Sequence, residues 1–254
     1  YNKKLAQSKI GKDSKYMVIE NLKKKGIDAV PSVFPKAILK SDLINQDPKI
    51  LPLGGVSNKT TVFCKEGDKF SIYKSDRYGF NNPNTEWDKK KIKWFLIGDS
   101  FTQGSCVQPG EDIASQIRLL SNDGVISLGM SGNGPLIELA SLKEYSYIKK
   151  PEIVLWLYFE RNDLEDLKYE KSNLILNNYL NNDYKQKLFS KQIIIDKKLG
   201  NFIKKEENKL HGRKLNKRQK KEKFINFKKI IRLKILRDKI ALDRGFNYPI
   251  DPLF

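Results

Sequence analysis

Three short, uninterrupted apolar runs stand out along the chain: Trp94 to Ile97, Val125 to Leu128 and Ile153 to Phe159. Runs that are continuous rather than alternating predict strands buried on both faces. Between the first two, Glu111 to Leu120 carries Ile113, Ile117 and Leu120 at helical spacing. Between the second and third, Pro135 opens a segment with Leu136, Leu139, Ala140 and Leu142, and proline suits the first turn of a helix. Strand, helix, strand, helix, strand at these lengths predicts two βαβ crossovers, hence an α/β fold with a parallel sheet covered by helices. Ligands of such sheets bind at the carboxyl ends of the strands, so candidate chemistry belongs just after residues 97, 128 and 159.

The flanking segments are less regular. Lys15 to Gly26, with Met17, Val18 and Leu22, predicts a short helix stopped by glycine. Prolines 31, 35, 48 and 52 predict extended or looped structure from residue 30 to 52. Thr60 to Cys64 and Lys69 to Tyr73 predict paired strands around Gly67-Asp68, followed by a turn from Ser75 to Pro83. After the third apolar run, Leu164 to Ile195 predicts helix, with Leu167, Leu174, Leu180, Leu188 and Phe189 available for packing. No internal repeat is visible.

Composition narrows the function classes. At 39% hydrophobic and 11% aromatic, the 254 residues can build a sizeable core. The net charge is +19, and Lys204 to Lys239, with sixteen Lys or Arg against four Asp or Glu, holds +12 of it. Apolar residues in that segment, among them Phe224, Phe227, Ile231 and Leu236, give it an amphipathic helical rhythm. It reads either as a phosphate-binding or anionic-membrane surface, or as a long solvated helix in a lysine-rich chain. No nucleic-acid motif of known spacing accompanies it. One histidine, His211, and two cysteines, Cys64 and Cys106, exclude a His-built metal site, a Cys-paired zinc site and a disulfide framework. Both cysteines read as small buried fillers, and no cofactor is expected. The longest apolar run falls far short of the roughly 20 residues that cross a bilayer. A start at Tyr1 and a stop at Phe254 give the expectation of a fragment or processed chain, which leaves cell envelope and cytoplasm both open.

The three strand ends each offer a polar group. The first runs into Gly98-Asp99-Ser100-Phe101-Thr102, which would hold a serine at the rim of the sheet. It is not the Gly-x-Ser-x-Gly elbow, since position 102 is threonine. The second ends in Gly129-Met130-Ser131-Gly132-Asn133-Gly134, whose glycines let backbone amides approach a ligand, without the spacing of a nucleotide loop. The third ends in Glu160-Arg161-Asn162-Asp163, where Asn162 would cap the next helix and Asp163, Glu165 and Asp166 would complement its dipole. Taken singly, these read as a turn, a connection and a cap.

In order, a serine, a glycine and an asparagine at successive strand ends resemble the first three blocks of the SGNH, or GDSL, hydrolase superfamily, over roughly Trp94 to Asp166. The lead-in from Ser75 to Pro83 is similar to that of bacterial members. The resemblance implies a three-layer α/β/α, flavodoxin-like fold and a serine esterase. Ser100 would be the nucleophile, and the amides of Ser100 and Gly132 with the Asn162 side chain would form the oxyanion hole. Asp99 and Asp163 would order the loops. Glu160 stands where the family has glycine, and Arg161 beside it would narrow the pocket or bind an anionic substrate group. The substrate would be an acyl ester, small or on a glycan, such as an O-acetylated carbohydrate. An O-acyltransferase and a non-catalytic binding domain of the same fold are the alternatives. The family's base comes from an Asp-x-x-His block, whereas the residue three before His211 is Asn208. The expectation is therefore an incomplete core, inactive as it stands. Residues 1–90 would be an irregular and β extension, 91–166 the hydrolase core, 167–247 a basic helical insertion and 248–254 the return to the sheet.

Overall fold

The computed structural model describes residues 14–41, 50–67 and 69–213. The apolar part of the basic segment, from Phe224 onward, and the stretch 248–254 lie outside them. The chain divides into two compact units, Tyr1–Lys204 and Lys205–Phe254. Of the second, residues 205–213 are described and are helical, with Lys209 paired to Glu206 one turn back.

Among its described residues the first unit is a mixed α/β structure with two three-stranded sheets. Helix α1, residues 14–24, leads into β1, Ala29–Pro31. A short helix α2, Pro35–Leu39, follows where loop was expected, because Pro35 already has the backbone angle of a first helical turn. β2, Thr60–Glu66, and β3, Lys69–Lys74, form the expected antiparallel hairpin, and β1 adds to β2 in parallel.

The second sheet contains β4 (Ile92–Gly98), β5 (Val125–Ser127) and β6 (Pro151–Leu157), in the order β5-β4-β6, all parallel. Its helices are the single turn α3 (Ser100–Gln103), α4 (Ile113–Ser121), α5 (Pro135–Tyr145) and α6 (Glu160–Glu170). Both crossovers expected from the apolar pattern are present. On one face of β4, Phe95 and Ile97 join Ile126, Ile137 and Ala140 in the main core; on the other, Leu96 packs with Val125, Ala114 and Ile117. Helices therefore cover both faces of the central strand.

Four further expectations change. β6 is not buried on both faces: Ile153, Val154 and Trp156 are exposed, because among the described residues β6 pairs with β4 alone, and the run's last two residues, Tyr158 and Phe159, lie past the end of the strand. Helix α4 turns Ala114 and Ile117 to the sheet and leaves Leu120 in solvent. Leu164 to Ile195 is not one helix. It breaks into the end of α6, α7 (Leu174–Asn178) and a 3₁₀ turn, Leu188–Ser190, before α8, residues 192–213, begins. The breaks fall where asparagine side chains bind their own backbone: Asn173 Oδ1 accepts from Leu176 N–H at 3.1 Å and Asn181 Oδ1 from Asp183 N–H at 3.0 Å. Finally, Cys64 and Cys106 are not separate fillers but a disulfide pair, with Cα atoms 5.1 Å apart. The tertiary fold lays the loop after α3 across β2, which the 42-residue separation concealed.

Candidate active site

The carboxyl end of β4 turns sharply into α3. Asp99 is the N-cap: its Oδ1 accepts from Phe101 N–H at 3.0 Å, which fixes Ser100 as the first helical residue. The turn is braced from the lead-in segment. Asn81 Nδ2 donates to the Gln103 carbonyl at 2.9 Å, and Tyr73 and Gln103 side chains bond at 3.0 Å. Buried Asp76 organises that lead-in, accepting from Tyr78 and Phe80 N–H and from Asn82 and Trp87 side chains; burial nevertheless raises its pKa. Asn82 in turn bonds both backbone groups of Ser127 in β5.

The end of β5 lies directly on α3. A Cβ at Gly129 would stand 2.5 Å from Thr102 Cβ and 2.6 Å from Gln103 N, so only glycine permits the approach. Gln103 Oε1 accepts from Ser131 N–H at 2.7 Å, tying the glycine loop to the serine turn. Gly132 has φ +75°, and the stem of Lys36 from α2 lies against it; a Cβ there would meet Lys36 Cδ at 2.9 Å. Lys36 forms an ion pair with the buried Asp166 of α6. Glu170, also on α6, accepts from Gly134 N–H at 2.7 Å and Leu136 N–H at 2.8 Å, satisfying donors at the start of α5. Burial raises the Glu170 pKa to about 7 against those bonds.

At the end of β6, Asn162 is not the cap. The helix begins two residues earlier, at Glu160, with Phe159 at its N-cap position, and Asp163 Oδ2 accepts from Phe159 N–H at 2.6 Å. Freed from capping, Asn162 Nδ2 donates to Asp99 Oδ2 at 3.3 Å and to Asp163 Oδ1 at 3.2 Å. Asp99 Oδ2 also accepts from Ser100 Oγ at 3.4 Å. One carboxylate oxygen thus joins the first and third strand ends. Burial, then repulsion from Asp99 and Asp166, raises the pKa of Asp163.

Of the residues expected at the site, Ser100, Asp99, Asn162 and Asp163 come together in one bonded group. Gly132 is tied to them less directly, through the Ser131–Gln103 bond. Arg161 is exposed, and His211 is exposed on α8 in the second unit. Gln103, Lys36, Glu170 and Glu138 carry no expectation from the sequence; a glutamine three residues after the serine is the one local signal. Glu138 of α5 is buried, accepts from Trp156 Nε1 at 2.7 Å, and has its pKa raised to about 8, by burial first and then by Asp163, Glu170 and Asp99. No protein-family model matches the chain, and neither the curated proteins nor the solved structures yield a match.

Proposed function

We propose that the chain carries the serine centre of an SGNH-type hydrolase with the three-layer α/β/α arrangement of that superfamily, acting on acyl esters. The observation that carries the reading is the shared Asp99 Oδ2, which draws Ser100 and Asn162 together from strand ends more than 60 residues apart. Helices on both faces of β4 support the layered arrangement.

In this reading Ser100 Oγ attacks the ester carbonyl, and the new oxyanion is held by the Ser100 and Gly132 amides and the Asn162 side chain, each such donor being worth about 3 kcal/mol. The carbonyl carbon gains a bond to Oγ and loses its bond to the alcohol, which departs with the proton a general base took from serine. Water then releases the acid and restores Ser100; a hydroxyl acceptor in place of water makes the same centre an acyltransferase.

The test is labelling by a fluorophosphonate probe, which needs no second, deacylating step, together with whatever hydrolysis of a simple ester the chain supports without an Asp-x-x-His block. Both should vanish in Ser100→Ala and fall about 100-fold in Asn162→Ala. Ester hydrolysis that survives Ser100→Ala removes the serine from the chemistry. A folded chain that binds acylated glycan with neither labelling nor turnover makes the domain a binding module.

A further inference from the structure

We propose that Phe101 and Phe159 form the acyl-chain subsite of the Ser100 centre and select esters of medium-chain apolar acids over acetyl esters. This rests on the reading of Ser100 as nucleophile. Phe101 directly follows Ser100, and its N–H is held by Asp99 Oδ1. Phe159 is locked into the turn that carries Asn162: its N–H donates to Asp163 Oδ2, and its carbonyl accepts from Asn162 and Asp163 N–H at 3.3 and 3.1 Å. The two rings meet edge to face, with centroids 5.4 Å apart. They thus link the two turns that present the nucleophile and the asparagine.

Packing does not account for these rings. Phe101 is 58% and Phe159 39% exposed, and neither belongs to any of the three hydrophobic clusters. Exposed apolar side chains on the same turns as the serine and the asparagine fit the usual make-up of a ligand site: a few placed polar groups beside apolar walls. An acetyl group is too small to cover both rings. A longer acyl chain, leaving the carbonyl at Ser100, would remove apolar surface from water with every methylene it adds.

The test compares p-nitrophenyl octanoate with p-nitrophenyl acetate, which share a leaving group, on the full chain. Wild type should favour octanoate in kcat/KM by about tenfold or more. Phe101→Ala and Phe159→Ala should each bring the ratio toward one, octanoate losing more than acetate, and Phe101→Leu should keep most of the preference. Labelling rates of Ser100 by ethyl and octyl fluorophosphonates give the same comparison where turnover is slow. A flat chain-length profile that still depends on Ser100 overturns the subsite alone. Equal losses on both esters also overturn it, since the rings would then only hold the turns. Full activity in Ser100→Ala, or no labelling by either reagent, overturns the nucleophile reading itself.

Discussion

Asn162 donates both of its side-chain N–H bonds to carboxylates, one to Asp99 from 63 residues earlier and one to its neighbour Asp163. At 3.3 and 3.2 Å both bonds are long, so the amide is aimed without being tightly committed. In the proposed reading Asp99 holds the Asn162 amide beside Ser100 until an oxyanion takes over one of its N–H groups.

That arrangement predicts coupling between the two residues. Asp99→Asn retains an oxygen to cap Phe101 N–H but removes the charge that aims Asn162; kcat on an ester should fall about tenfold with KM nearly unchanged. In an Asn162→Ala background the same substitution should cost less than about twofold, because its target is gone. Steady-state kinetics on the four proteins of the cycle checks this, and independent, multiplying losses would show that Asp99 does not act through Asn162.

Gly129 predicts a steric effect of the opposite kind, local and severe. A methyl group there meets backbone atoms of Thr102 and Gln103, which no rotamer change can clear. Gly129→Ala should therefore destabilise the first unit by about 3 kcal/mol and displace α3 with its serine. Gly200, inside α8, has nothing within 4 Å of its would-be Cβ, and Gly200→Ala should stabilise by about 0.7 kcal/mol. Urea unfolding of the two variants beside wild type measures both signs.

The contrast between those glycines marks what local pattern can reveal. β4, β5 and the helices between them were legible because uninterrupted apolar residues can bury both strand faces only under crossover helices. The position of β6 was legible too, but its exposure was not, since burial depends on which strands flank it. The placement of Asn162 was read as a cap because capping is the local role an asparagine takes after a strand. The competing partner, Asp99, stands on another strand end. Lys36 and Glu170 carried no signal at all: each matters through what it touches, Gly132 and Asp166 for one, Gly134 and Leu136 for the other. The Cys64–Cys106 pairing is hidden for the same reason, as spacing says nothing about which loop crosses which strand.

The Cys64–Cys106 bond closes a loop containing β3, β4 and α3. By chain entropy a crosslink of this separation, 42 residues, contributes about 4 kcal/mol. Cys64→Ser with Cys106→Ser, or reduction of wild type, should lower the thermal midpoint by roughly 8 to 16 °C. The reductant should leave the double variant unchanged. A wild-type midpoint indifferent to reductant would mean that the bond contributes nothing to the folded state.

Glu138 makes stability depend on pH in a direction opposite to that of an ion-paired carboxylate. Its Oε1 is buried without a partner, its Oε2 has only Trp156 Nε1, and the carboxylates of Asp163, Glu170 and Asp99 surround it. Burial therefore favours the protonated acid and lifts the pKa from 4.5 to about 8. Folding takes up a proton at this site between those two values, so the stability it contributes is fully present below pH 4.5 and is lost as pH rises through about 8. Glu170, raised to about 7, and Asp163, raised as well, act in the same sense. Glu138→Gln keeps an oxygen for Trp156 and removes the ionisation. At pH 9 it should be more stable than wild type by on the order of 3 kcal/mol, and at pH 4.5 nearly equal to it. Denaturant unfolding of both proteins across that range measures the difference. A gap that stays constant with pH would mean that Glu138 titrates alike in the folded and unfolded chains, and that its burial beneath β6 is not maintained in solution.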